Sequence, residues 1–251
     1  MDNLDLNEIL DRKKEEAQLI DYLKYFEENK KDLTTKRGIY IYGNPGVGKT
    51  RFVYDILKKL NYDIIGFDAG DVRNKSAIEK ITKHNMSDKN IMNLFYKKER
   101  KIVIVMDEID GMNSGDKGGI NTLIKLMRPK KTRRQKKESI TLNPIICIGN
   151  YHIDKKIKEI KKTIDNIELK TPTSIQINNI LSNHLKIENM GEMFSSYIGG
   201  DLRKLEFIYT INQFKNNIIN NKKMNKCFLG VDYNDDTKII TKKLLNHRYT
   251  I

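Results

Sequence analysis

Eight consecutive residues, Gly43-Asn44-Pro45-Gly46-Val47-Gly48-Lys49-Thr50, fit G-x-x-x-x-G-K-[ST], a spacing whose chemistry is phosphate binding. The glycines let backbone N–H groups turn inward around phosphate oxygens at a helix N-terminus, which already favours anions. Lys49 adds a point charge, and the Thr50 hydroxyl suits Mg²⁺. Farther along, Asp107 and Glu108 stand side by side after the apolar run 102–106. Asp107 suits the surroundings of the metal, and Glu108 suits a general base that polarises water for attack on a γ-phosphate. Adjacent acids after a strand also serve as helix N-caps. Asn150, at the end of another apolar run, could orient the attacking water. Arg203 could reach the γ-phosphate from a later helix. Taken alone, a loop Asn and a solvated Arg are ordinary; their order after the first two motifs gives them meaning. The implied ligands are ATP and Mg²⁺.

These side chains need a scaffold that brings four distant stretches together. Residues 38–42 (GIYIY) form a short β-branched and aromatic run, followed by the glycine loop and then by Phe52, Val53, Ile56 and Leu60 on a helical stripe. That succession is strand, loop, helix. Residues 64–67, 102–106 and 145–148 are three more apolar runs, with segments between them long enough for crossover helices. The alternation predicts an α/β layer with a buried, mostly parallel sheet, whose carboxyl edge is where such sheets bind ligands. Before it, Leu6, Ile9, Leu10, Leu19, Ile20, Leu23 and Phe26 recur at helical spacing and predict one or two helices docked on the layer. After residue 169 the strand signals stop, and residues 173–185, 190–198 and 201–214 read as three helices, the last with Asp201 as N-cap and Leu202, Leu205 and Ile208 as its stripe. The expected organisation is a helical segment over residues 1–36, an ATPase core over 37–170, a helical lid over 171–215 and a helical or irregular tail over 216–251.

Composition bounds the partners. The chain has 251 residues, and 47 Lys and Arg against 33 Asp and Glu leave +14, a field that favours nucleic acid or another polyanion and also fits a Lys-rich surface. The two cysteines, Cys147 and Cys227, lie in no paired or metal-ligand spacing, which fits a reducing, intracellular compartment. No run approaches a membrane span and residues 1–11 lack the apolar core of a signal peptide, so the expectation is a soluble protein without a membrane partner.

On these residues the chain resembles the AAA+ ATPases and, within them, the clamp loaders of the replication factor C large-subunit type. The resemblance spans residues 22–209. Its most specific stretch is Asp107-Glu-Ile-Asp-Gly-Met-Asn-Ser-Gly-Asp-Lys-Gly-Gly, similar to a pattern in which the second carboxylate motif runs into DGM and a double glycine. Phe67-Asp-Ala-Gly-Asp-Val-Arg-Asn-Lys resembles the family's N-A-S-D-x-R element, and Gly200-Asp-Leu-Arg-Lys its second sensor. The resemblance implies an α/β fold with a RecA-like parallel sheet, flanking helices and a small all-helical lid. It implies a subunit of a five-membered spiral that opens a ring-shaped sliding clamp on primer-template DNA, in a nucleus or a viral replication compartment. The partners implied are clamp-loader small subunits, the clamp and DNA. The family's small subunits carry a Ser-Arg-Cys motif whose arginine completes a neighbour's site; here the matching region reads Thr163-Ile-Asp-Asn-Ile-Glu-Leu-Lys. The chain is therefore expected to receive such a finger, which is worth about 10³ to 10⁵ in rate, and to hydrolyse ATP slowly by itself. Three departures stand out: no helical collar and no additional amino-terminal DNA-binding domain are read, and Tyr151-His152 follow Asn150 where the family usually has Asp.

For DNA, Gly118-Gly119 open a helix with Ile120, Leu123, Ile124 and Met127 on one face and Asn121, Thr122, Lys125 and Arg128 on the other, whose N-terminus and polar face suit phosphates. The basic run 130–137, with Lys130 and Arg133, reads as a DNA contact, a solvated loop or a localisation signal. Arg73 and Lys75 are further candidates by resemblance. Met92, Phe95 and Tyr96 resemble a clamp-binding motif without its usual glutamine, and helix-core packing accounts for them equally well. The leading expectation is a clamp-loader subunit. The alternatives are another AAA+ DNA machine such as a helicase loader, and a DNA-binding scaffold that binds ATP without turning it over.

Overall fold

Three strands are nearly continuous apolar runs because both of their faces are covered: β1 (Gly38–Gly43), β3 (Lys101–Met106) and β4 (Ile145–Gly149). The computed structural model describes residues 6–71, 75–76, 78, 101–113, 118–138, 140–151, 155–184 and 191–214. Arg73, Met92, Phe95, Tyr96 and the tail after residue 214 lie outside the described residues. With β2 (Tyr62–Phe67) and β5 (Asp165–Leu169), the strands form one sheet in the order β2-β3-β4-β1-β5, all neighbours parallel. This is the buried parallel layer that the apolar runs predict.

Alternation along each strand divides the core. Ile39, Ile41, Val103, Val105, Ile146 and Ile148 face α2 (Lys13–Asn29) and α3 (Lys49–Lys59), through Leu19, Leu23, Phe52, Val53 and Ile56. Tyr40, Ile104, Met106, Ile145 and Cys147 face α4 (Gly119–Met127) and α5 (Lys155–Thr163), through Leu123, Met127, Ile157 and Ile160. Burial pushes the Cys147 thiol up to about 12, so the group stays a thiol and packs as a small hydrophobe.

A third core belongs to the lid, made of α6 (Ser174–Asn179), α7 (Gly191–Ile198) and α8 (Leu202–Phe214). Ile177, Leu181, Phe194, Ile198, Leu205 and Ile208 pack together, and Leu10 of the amino-terminal segment joins them. Thr173 caps α6 in a capping box with Gln176, and Gln176 Nε2 donates to the Leu10 carbonyl at 3.0 Å. The residues after α1 (Leu6–Ile9) are thus built into the lid before the chain enters α2.

Two sequence expectations are corrected, and one strand joins those that the apolar runs predict. β5 is an edge strand with the burial sequence exposed-exposed-buried-exposed-buried, so DNIEL offers only two apolar residues at alternate positions. Thr122 is buried, not on the solvent face of α4, and its hydroxyl donates to the Gly118 carbonyl at 3.0 Å. Lys130 is not a surface cation. Its side chain is 0% exposed; its Nζ donates to the Lys125 carbonyl at 2.5 Å and to Glu138 at 2.9 Å. Arg128 is paired with the same carboxylate, its Nη2 at 2.7 Å from Oε1 and 3.0 Å from Oε2. An ammonium stripped of water needs such partners, and Glu138, eight residues away, provides them. Lys130 and Arg128 therefore fasten the basic segment to α4, and the Lys130 ammonium, fully buried, is not presented to a phosphate.

Lys130→Met is expected to lower the unfolding free energy by about 1–3 kcal/mol, measured by urea denaturation, with DNA affinity unchanged. Burial raises the Glu138 carboxyl, but the bonds from Lys130 and Arg128 outweigh it and hold the group below its ordinary value. A depressed carboxylate contributes stability that is complete above its unfolded value and is lost as pH falls through the folded one. The melting temperature of Glu138→Gln should therefore depend less on pH than wild type between roughly pH 5 and pH 3.

Candidate nucleotide site

The carboxyl ends of β1, β3 and β4 open onto one cleft of about 320 Å³, lined by Gly46, Gly48, Lys49, Thr50, Asp107, Glu108, Asn150 and Arg203. In the order β2-β3-β4-β1-β5 the loop after β1 and the ends of its neighbours converge at the sheet edge where open α/β layers bind ligands. The loop after β1 is left-handed at Gly46 (φ 77°) and Gly48 (φ 82°), and Gly48 caps α3. A side chain at Gly46 would also collide with Asp201, because the lid lies directly on this loop. Leu202 N donates to the Gly46 carbonyl at 2.8 Å, and Asp201 Oδ1 accepts from Arg203 N at 2.9 Å, fixing the first turn of α8.

Lys49 Nζ has three donors and uses each of them, to Gly43 O at 3.1 Å, Asn44 O at 2.9 Å and Asn150 Oδ1 at 2.9 Å. Burial pushes its ammonium below the ordinary lysine value; Asp107, Asp110 and Glu108 work against that and Arg203 adds to it. These groups therefore share one electrostatic neighbourhood. Asn150 is oriented by its partners. Only its oxygen can accept from Lys49, and its Nδ2 donates to Asp110 Oδ2 at 2.9 Å. The order of the motifs did not assign Asp110 this part, although it stands three residues after Asp107 in the same motif.

Thr50 Oγ1 donates to Asp107 Oδ2 at 2.6 Å. One hydroxyl beside one carboxylate fits Mg²⁺, which keeps several waters and takes phosphate oxygens as ligands. Among the described residues no cluster of three or more His, Cys, Asp or Glu could enclose a metal alone. Thr50 and Asp107 would hold the ion, which would neutralise phosphate charge.

Glu108 carries φ 50°, the left-handed region, a position that costs a non-glycine residue about 1–2 kcal/mol. Glu108 is exposed and lines the cleft together with the phosphate loop. Arg203 is exposed on α8, away from the buried Leu202, Leu205 and Ile208, and lines the same cleft. Arg12 was not singled out in the sequence, where it is one basic residue in a charged stretch. It is buried, and its Nη2 donates to the Val47 carbonyl at 2.7 Å. Desolvation lowers its guanidinium to about 10. The phosphate loop is consequently held by α8 on one carbonyl and by the amino-terminal segment on the next.

The family described as "ATPase family associated with various cellular activities (AAA)" matches residues 39–171, more than half of the 251. The chain belongs to this family. Within the AAA ATPases it is similar to proteins named "Replication factor C large subunit". That of Methanococcus maripaludis is 28% identical over 208 residues, 79% of this chain and 38% of its own length. That of Nanoarchaeum equitans is 27% identical over 201 residues, 77% and 43%. "Replication factor C subunit 1" of Saccharomyces cerevisiae is 29% identical over 148 residues, 56% and 16%. The chain therefore spans less than half of each of these relatives. The Holliday junction branch migration motor RuvB of Thermotoga maritima shares the fold, with a TM-score of 0.52 at 14% identity over 84% of this chain and 66% of that one. Among the described residues no helix is long and apolar enough to cross a membrane.

Proposed function

We propose that this AAA ATPase is a clamp-loader subunit of the large-subunit type, binding Mg·ATP in the cleft after β1 and helping to load a sliding clamp onto primer-template DNA. The observation that carries the reading is the convergence of Lys49, Thr50, Asp107, Glu108, Asn150 and Arg203 on one cleft in a chain similar to replication factor C large subunits. Lys49 exchanges its two backbone acceptors, the Gly43 and Asn44 carbonyls, for phosphate oxygens and keeps Asn150 Oδ1. Glu108 takes the proton of the attacking water, Asn150 orients that water, and Arg203 meets the γ-phosphate from the lid. No arginine occupies residues 163–170, the region that matches the Ser-Arg-Cys motif, so this chain receives a neighbour's arginine at a subunit interface, and a clamp, small subunits and DNA are the partners. The residues of this role work inside the cell, in a nucleus or a viral replication compartment.

The test is retention of a clamp on primed circular DNA by the chain mixed with candidate small subunits. ATP-dependent retention, lost with Glu108→Gln, is expected; ATP hydrolysis without retention would place the chain in another DNA machine. Lys125 and Arg133, like Lys75, are exposed candidates for phosphate contact. Lys125→Glu and Arg133→Glu should each weaken DNA binding about equally for all sequences and flatten the salt dependence by about one charge. An unchanged slope would remove that residue from the interface.

A further inference from the structure

The loop that carries Asn150 is held by a cluster in which Tyr42, Tyr151 and Glu168 do not line the nucleotide cleft. Tyr42 of β1, Gly149 of β4 and Glu168 of β5 lie in one register row across the sheet. Tyr42 immediately precedes the phosphate loop and Tyr151 immediately follows Asn150. Glu168 accepts from both, from Tyr151 Oη at 2.5 Å and from Tyr42 Oη at 3.4 Å. The Tyr151 ring stands edge-on to Tyr42 with centroids 5.5 Å apart, and Tyr42 stacks on Tyr40 at 5.5 Å. Lys161 of α5 sits 3.5 Å over the Tyr42 ring, a cation–π contact. Tyr40 in turn donates to the backbone carbonyl of Asn150 at 3.2 Å, through space that a side chain at Gly149 would fill.

Tyr151 is 43% exposed, so core packing does not explain it. A ring half in water keeps several rotamers unless something holds it, and here a carboxylate and a second ring do. Resting on the role proposed above for Asn150, we propose that Tyr151 and Glu168 are positioning residues, which fix the backbone after β4 so that the Asn150 amide stays aimed between Asp110 and Lys49. Glu168 thereby ties the entry of the phosphate loop to the residue that faces it across the cleft. Because the bond is largely exposed, its effect is moderate.

The test uses the full chain, with single-turnover hydrolysis of Mg·ATP, Kd for Mg·ATP, and the side-chain amide NMR signals of Asn150, assigned by their loss in Asn150→Ala. Tyr151→Phe, which removes one oxygen, and Glu168→Ala should each lower the rate about three- to tenfold, leave Kd within about twofold and shift the Asn150 amide signals. Glu168→Gln, still an acceptor, should restore most of the rate. In the Asn150→Ala background Tyr151→Phe should cost nothing more. A fall in melting temperature or a weaker Kd in place of the rate effect would mark a merely structural contact and overturn the proposal. So would unmoved Asn150 signals, a readout that decides the matter even where turnover is slow. A wild-type rate in Asn150→Ala would instead sink the role of Asn150 itself.

Discussion

Replacing Lys49 with alanine is expected to weaken Mg·ATP binding by about 30- to 1000-fold without unfolding the chain, as read by calorimetric titration and by circular dichroism. The ammonium is already stripped of much of its water and holds three protein oxygens in its place. Exchanging the two backbone carbonyls among them for anionic phosphate oxygens gains charge-assisted bonds in a half-buried site, worth about 2–4 kcal/mol. Alanine also leaves Asn150 Oδ1 without its donor, so the water-orienting group loosens with the phosphate site. Lys49→Arg should rescue poorly, because a planar fork cannot reproduce the three converging bonds of an ammonium. Near-wild-type affinity in Lys49→Ala would remove the phosphate loop from the account.

Glu108→Gln should keep Mg·ATP affinity and lower hydrolysis in the assembled complex by about 10²- to 10⁴-fold, the contribution of a positioned general base. The amide matches the carboxylate in shape but cannot take a proton. Backbone strain provides an independent check. Glu108 holds a left-handed conformation that glycine adopts without penalty, so Glu108→Gly should raise stability by about 1 kcal/mol while abolishing turnover. Glu108→Gln, which keeps the strained backbone, should leave stability unchanged. Hydrolysis surviving both substitutions would dismiss Glu108 as the base.

Much of this site is legible in the sequence because its chemistry is written in short local stretches. A glycine loop after an apolar run, and two acids after another, need only the strand to end for their side chains to reach the carboxyl edge. What was not legible depends on distant partners. Lys130 reads as the start of a solvated basic run until Glu138 is seen to satisfy it. Arg12 looks like one charge among several, and its role appears only when Leu10 joins the lid core and brings the guanidinium against Val47. β5 hides because an edge strand buries one face, so its sequence alternates where the inner strands run continuously apolar. The tyrosines of β1 read simply as strand formers, and their link to Asn150 requires the β1–β5 register that places Glu168 beside Tyr42.

The most direct test of the central claim is a crystal structure of the Glu108→Gln chain grown with Mg·ATPγS, in which the anomalous signal of sulfur locates the γ-phosphoryl group. The account predicts one sulfur peak inside the cleft, within reach of Lys49, Asn150 and Arg203, with magnesium density beside Thr50 and Asp107. A nucleotide seated elsewhere on the protein, or a γ-group turned away from those side chains, would contradict it.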